Sequence, residues 1–172
     1  KNFLNSFRKL FSKKKINLHE PKFNSADQFH LLKCLKSTMV STAGAYVSKF
    51  ENEIKKFTKS KHAIAVLNGT IGIELCLRFL GIKNNDEVLL PAMTFVAPAS
   101  AILNIGAIPH FVAIRRYDLG VDIELLEKYL LKNTIMRKGK CFNLKTKRYI
   151  TAIIPVHVFG HPCDLDGVMR IS

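Results

Sequence analysis

Apolar positions change their spacing near residue 60. Before it they recur every three or four residues, the period of a helix with one buried face. Phe3, Leu4, Phe7, Leu10 and Phe11 predict an amphipathic helix with basic residues between the apolar ones. A second helix is expected over Ser25–Leu35 with Ser25 as its cap. A third is expected over Tyr46–Phe57 on Val47, Phe50, Ile54 and Phe57, after a turn at Ser41-Thr42-Ala43-Gly44. Beyond residue 60 short apolar runs alternate with helical stretches. Strands are predicted at 62–67, 87–90, 108–114 and 150–156, and helices at 70–80, 96–105 and from 123 onward. In the stretch after Thr70 only Glu74 and Arg78 are charged, four apart and able to pair, so the remainder is expected to be buried. Gly81 and Gly106 close helices, and Asp122 caps one. The lysine-rich residues 132–148 read as a protruding hairpin or loop with Lys145-Thr146-Lys147 near its tip. Strands alternating with helices predict a three-layer α/β/α domain, and 62–67, its helix and 87–90 form a βαβ unit.

The chain has 172 residues, 48% of them hydrophobic, enough for a sizeable core. It carries 27 Lys and Arg against 13 Asp and Glu, a formal net charge of +14. Six of those bases lie within residues 1–15, which hold no acid. That charge reads first as solvated lysines, then as attraction to anionic small molecules. Binding to nucleic acid or an anionic membrane surface rests mainly on residues 1–15, and no nucleic-acid partner is expected. No apolar run reaches the roughly 18–20 residues of a membrane-spanning helix. The four cysteines form no CxxC pair, which fits reduced thiols in a cytoplasmic protein.

Chemistry concentrates where Asn68-Gly69-Thr70 opens a helix. Free amides, the dipole end and a hydroxyl make an anion site suited to phosphate, although the same residues also make an ordinary helix start. Phe95 taken alone reads as a core residue, and Ser41–Gly44 as a turn. His157, His161, Cys163 and Asp164 suggest a metal, but Gly160 and Pro162 break any helix that could bring the two histidines onto one face, so none is expected. Asp164 and Asp166 fit a helix cap and first-turn acid rather than a catalytic pair.

The succession YVSKFENEIKKFTKSKHAIAVLNGTIGIELCLRFLGIKNNDEVLLPAMTFVAPASAILNIGAIPHFVAI, followed by AIIPVHVFGHPCDLDGV, resembles the DegT/StrS family of pyridoxal-phosphate-dependent aminotransferases acting on nucleotide-linked keto sugars. INLHEP, GKCFNLKTKRYI and FGHPCDLDG are most similar to the branch that aminates 4-keto sugars for legionaminic-acid- and bacillosamine-type glycans. The resemblance implies the large domain of a fold-type-I transferase, with a mixed, mainly parallel sheet. It implies that Gly69, Thr70 and the Ile71 amide hold the cofactor phosphate, that Phe95 stacks on the pyridine ring, and that Ser41 and Gly44 lie on the substrate side. Ile71-Gly72 stand where the family usually carries alanines. Pro98 and Ser100 stand where it usually has threonine and asparagine.

Further implied are a nucleotide-diphosphate keto sugar, an amino-acid donor such as glutamate, and a homodimer when full length. No lysine here matches the family's Schiff-base position, so the domain is expected to be incomplete at its C-terminus and inactive alone. Residues 1–17 are expected to form a basic amphipathic helix and 18–172 the amino-terminal part of the large domain. The competing class is a non-catalytic truncated paralogue acting as a binding or dimerisation partner.

Overall fold

The structure, a computed structural model, describes residues 2–11, 20–41 and 44–172. Thr42, Ala43 and the expected boundary at 17/18 lie outside the described residues. The chain divides into two compact units, Lys1–Ala65 and Val66–Ser172.

The first unit is helical. Helix α1 (Asn2–Leu10) follows the expected spacing, with the Phe7 and Phe11 rings 4.7 Å apart and Phe3, Leu4 and Leu10 exposed. Helix α2 (Ser25–Lys36) starts where expected but is capped by Asn24. The Asn24 amide oxygen accepts from the Ala26 and Asp27 N–H groups at 2.8 and 3.1 Å, and the Asp27 carboxylate accepts from the Asn24 N–H at 2.8 Å. A Ser25 box would close on neutral Gln28; the charged carboxylate makes the stronger reciprocal bond, so the cap moves back one residue. Helix α3 (Ala45–Thr58) ends at Lys59 in the left-handed conformation.

The expected strand at 62–67 does not form. His62 to Val66 is irregular, and Ile64 and Leu67 are exposed. A strand needs a ladder partner as well as β-forming residues. No described strand pairs with this segment. The Ala65 N–H donates instead to the Glu51 carboxylate at 2.8 Å.

The second unit holds helix α4 (Gly69–Phe79), strand β1 (Glu87–Pro91), helix α5 (Val96–Asn104), strand β2 (Ile108–Val112) and helix α6 (Ile123–Asn133). Strands β3 (Thr134–Arg137), β4 (Lys140–Asn143) and β5 (Arg148–Ile153), a 3-10 turn at Val158–Gly160 and helix α7 (Leu165–Ile171) follow. The strands lie in the order β2-β1-β5-β4-β3. β1 is parallel to β2 and β5, and β4 is antiparallel to β5 and β3. The βαβ unit that does form is therefore β1–α5–β2.

Both faces of the sheet are covered. Val88 and Leu90 pack with Leu77 of α4, Ile102 of α5 and Ala107. Leu89 points the other way, onto Ile123 and Leu126 of α6 and Val168 of α7. Period-2 alternation with helices on both sides buries every residue of β1. In α4 only Leu77 is buried, whereas Leu75 and Phe79 are exposed. The helix meets α5 along one face, so a nearly all-apolar sequence does not make an all-buried helix. Glu74 and Arg78 pair as expected, at 3.0 Å.

The lysine-rich stretch does form a hairpin, β3–β4, but it is joined to the sheet through the β4–β5 pairing rather than protruding. Its reversal falls at Lys138-Gly139, both with positive φ (53° and 70°), as a tight antiparallel hairpin requires. Lys145-Thr146-Lys147 belongs instead to the turn between β4 and β5. Asp122 caps α6 as expected, its carboxylate accepting from the Leu125 N–H at 3.0 Å.

Candidate functional site at the carboxyl edge of the sheet

Helix α5 joins the carboxyl end of β1 to the amino end of a parallel neighbour, so it runs back against both strands. Glu74 of α4 accepts from the Asn104 side-chain amide at 3.3 Å, and Arg78 donates to the Asn104 carbonyl at 3.5 Å. These bonds put the carboxyl-terminal half of α4 beside the end of α5, so the two helices run the same way. Their amino termini therefore share the carboxyl edge of the sheet. Gly69 and Thr70 reach it in the first turn of α4, and Phe95 reaches it in the loop after β1 as the residue capping α5. The route for Thr70 differs from the expected one, because irregular chain rather than a strand precedes it.

At the start of α4 the Asn68 side-chain oxygen accepts from the Ile71 N–H at 3.0 Å. That cap uses the Ile71 amide, while the Gly69 and Thr70 amides have no intrahelical acceptor. A Cβ added at Gly69 would meet nothing within 4 Å, so the approach to these amides is open. Phe95 is 74% exposed, displayed rather than buried. Beside it the Thr94 hydroxyl is buried with no hydrogen-bond partner among the described residues, a costly arrangement whose signal in sequence is a lone polar residue in an apolar loop.

Ser41 and Gly44 lie in the other unit. The Gly44 N–H donates to the Ser41 carbonyl at 3.1 Å. A Cβ at Gly44 would sit 2.8 Å from the Met39 carbonyl oxygen, so this turn requires glycine.

Of the residues that suggested a metal, His157, Cys163 and Asp164 have structural partners. His157 Nδ1 accepts from the Cys163 N–H at 3.1 Å. Asp164 caps α7 through the Gly167 N–H at 2.8 Å and lies 3.5 Å from Arg115. Burial pushes the buried Cys163 thiol up. Arg115 also pairs closely with Asp118, holding that carboxyl below the ordinary range. Arg115 and Asp164 line a groove of about 430 Å³ together with Arg116, Tyr117, Asp122, Ile123, Glu124 and Arg170.

A polar cluster at the opposite end of the sheet was not anticipated from the sequence. Glu87, the first residue of β1, is 1% exposed. Its carboxylate lies 2.9 Å from His110 Nδ1 on β2 and accepts from the Asn143 amide on β4 at 3.0 Å. Asn143 also donates to the Tyr129 hydroxyl at 3.2 Å. Burial alone would raise the carboxyl. Hydrogen bonding from its neighbours and the His110 charge outweigh that, so it sits below the ordinary range. The Thr146 hydroxyl, buried beside the same carboxylate, makes no bond of good geometry where it stands.

The amides at the α4 start and the exposed Phe95 ring stand at the carboxyl edge of an α/β sheet. Comparison gives the class. The aminotransferase from Psychrobacter cryohalolentis superposes with a TM-score of 0.72 at 30% identity, over 88% of this chain and 34% of that one. The putative sugar aminotransferase Spr1654 from Streptococcus pneumoniae, in its PMP form, superposes at 0.70 with 26% identity, over 91% and 35%. The fold is that of the fold-type-I aminotransferases, whose cofactor is pyridoxal phosphate.

Residues 21–172 match the model of the DegT/DnrJ/EryC1/StrS aminotransferase family, and the chain belongs to it. Among curated relatives, GDP-perosamine synthase of Vibrio cholerae is 34% identical over 153 residues, 89% of this chain and 37% of the relative. The enzyme of the same name from Escherichia coli O157:H7 is 31% identical over 159 residues, 92% of this chain and 39% of the relative. The chain thus spans less than two-fifths of the length of these relatives. Among the described residues no helix is long and apolar enough to cross a membrane.

Proposed function

We propose that this chain is the cofactor-phosphate-binding part of an aminotransferase acting on a nucleotide-linked 4-keto-6-deoxy sugar. The observation that supports this reading is that Gly69, Thr70 and Phe95 stand at the carboxyl edge of the sheet in a chain of the DegT/DnrJ/EryC1/StrS aminotransferase family. The Gly69 and Thr70 amides and the Thr70 hydroxyl bind the cofactor phosphate at the positive end of α4. Phe95 covers one face of the pyridine ring. Ile71 serves the helix cap, and its amide is left out of the phosphate contact. Ser41 and Gly44 belong to the substrate side.

Pyridoxal phosphate, when bound, supplies the electron sink that lets an amino group pass from a donor amino acid to a keto carbon. No lysine of this chain is assigned to the covalent cofactor link, and the chain alone is not expected to turn over. We assign glutamate as donor, surface-glycan assembly as the role, the cytoplasm as the location and a homodimer as the working form. The GDP-perosamine synthases among the relatives support a nucleotide sugar as acceptor. Equilibrium dialysis of pyridoxal phosphate against the chain and its Thr70→Val and Phe95→Ala variants tests the assignment. Both substitutions are expected to weaken retention, and equal retention by all three proteins would refute it.

A further inference from the structure

We propose that His157 is a ligand-contacting residue of this edge, presenting its Nε2–H to an oxygen acceptor of the cofactor or the nucleotide sugar. The proposal rests on the assignment of the carboxyl edge as the ligand site, and it concerns a residue for which that assignment has no role.

The first support is topological. From β1 the chain crosses through α5 to β2 on one side, and it later enters β5 on the other side of β1. The order of strands therefore reverses between β1 and β5, and open α/β sheets bind ligands in the crevice at such a point. Two loops leave the sheet there, one carrying Thr94 and Phe95 and the other carrying His157. The register fixes their level: Leu89 lies opposite Ile153, and the Ile154 N–H donates to the Leu89 carbonyl at 2.8 Å. Phe95 and His157 thus follow the ends of adjacent parallel strands, about 4.8 Å apart at the sheet.

The second support is the state of the ring. A ring nitrogen that accepts a hydrogen bond cannot also carry the proton. Because the Cys163 N–H donates to Nδ1 at 3.1 Å, the neutral imidazole holds its proton on Nε2. The residue is exposed, and Nε2 has no partner among the described residues. One side of the ring is fixed by the backbone and the other offers a donor of defined tautomer.

The third support is the way the loop is held. Val158 is buried, and Phe159 and Gly160 both adopt positive φ, at 52° and 80°. A phenylalanine in that region is strained, and such strain persists where surrounding contacts impose it, commonly at ligand sites. Here the Gly160 N–H to the His157 carbonyl and the His161 N–H to the Val158 carbonyl, each 3.0 Å, close the turn, and buried Cys163 anchors its far side. The strained turn sets the direction of His157.

Two substitutions separate contact from scaffold. His157→Asn keeps an acceptor near the Nδ1 position for the Cys163 N–H and removes the distal donor. His157→Gln places a donor near the Nε2 position and loosens the hold on Cys163. Binding of pyridoxal phosphate alone and of GDP-mannose alone is measured by dialysis for both variants, with thermal melting alongside. For whichever probe meets the ring, the asparagine variant is expected to bind about tenfold more weakly at unchanged melting temperature. The glutamine variant should bind that probe within about threefold of the parent. Loss for only one probe identifies whether cofactor or sugar nucleotide supplies the acceptor. Unchanged binding of both probes by His157→Asn overturns the proposal, and if Thr70→Val and Phe95→Ala still weaken pyridoxal phosphate, the site assignment stands without it. The reverse pattern leaves the His157 contact standing and removes the site assignment. A parent chain that binds neither probe contradicts both.

Discussion

The two ends of β1, a strand of five residues, are built on opposite terms. At its start Glu87 is buried, bonded to neighbours from β2 and β4, and held charged in the interior. Beyond its end Thr94 hides a hydroxyl with no partner among the described residues, Phe95 displays its ring, and the loop after β5 holds a phenylalanine in the left-handed region. The first end spends its polar groups on one another. The second leaves amides and an aromatic face without partners among the described residues, as a surface completed by a ligand does. Polar groups alone therefore do not mark a site here, since the richer polar cluster is the structural one.

That contrast is broken most severely at the closed end. Glu87→Ala removes the acceptor shared by His110 and Asn143 and leaves the Asn143 amide buried with an unfilled bond. A loss of about 3–5 kcal/mol in unfolding free energy is expected, read from urea denaturation. At the open end the costs move from stability to binding. Thr70→Val takes a hydroxyl from a charged acceptor and should weaken pyridoxal phosphate by roughly 1.5–3 kcal/mol. Phe95→Ala should weaken it by roughly 1–3 kcal/mol. Because the Phe95 ring is exposed in the free chain, its removal should change the denaturation midpoint little, within about 0.5 kcal/mol.

The smallest effect sharpens the comparison through pH. The Glu87 carboxyl is held below its ordinary range in the folded chain, so between the folded and unfolded values the unfolded chain binds more protons. Its contribution is fully present above the unfolded value of about 4.3 and is lost as pH falls through the folded value. Glu87→Gln should flatten this acid-side slope in denaturation profiles. An identical slope would show that the carboxylate is not the linked group.

Much of the open end was legible from sequence, and most of the closed end was not. Asn68-Gly69-Thr70 at a helix start and Phe95 four residues beyond Pro91 are local patterns, and local patterns fix helix starts and loop lengths. Helices α3, α5 and α6 accordingly begin within about one residue of where spacing and caps put them. The segment 62–67 failed for the complementary reason: HAIAVL has the composition of a strand, but pairing is decided by what lies beside it. The β3–β4 hairpin was blurred because Lys132, Arg137, Lys138 and Lys140 crowd the segment, hiding a two-residue alternation within a basic run. Glu87 read only as the head of a strand, since its partners stand 23 and 56 residues away. Nothing in an apolar stretch around a single acid announces them.

The measurement that bears most directly on the open end is a dialysis titration of the chain with pyridoxal phosphate, run beside Phe95→Ala, Thr70→Val and Glu87→Gln at a pH where all four proteins are folded. Saturable binding that falls in both edge variants and holds in the Glu87 variant is the predicted result. Binding that is absent, or that is the same in the parent chain and both edge variants, would contradict a cofactor site at the carboxyl edge.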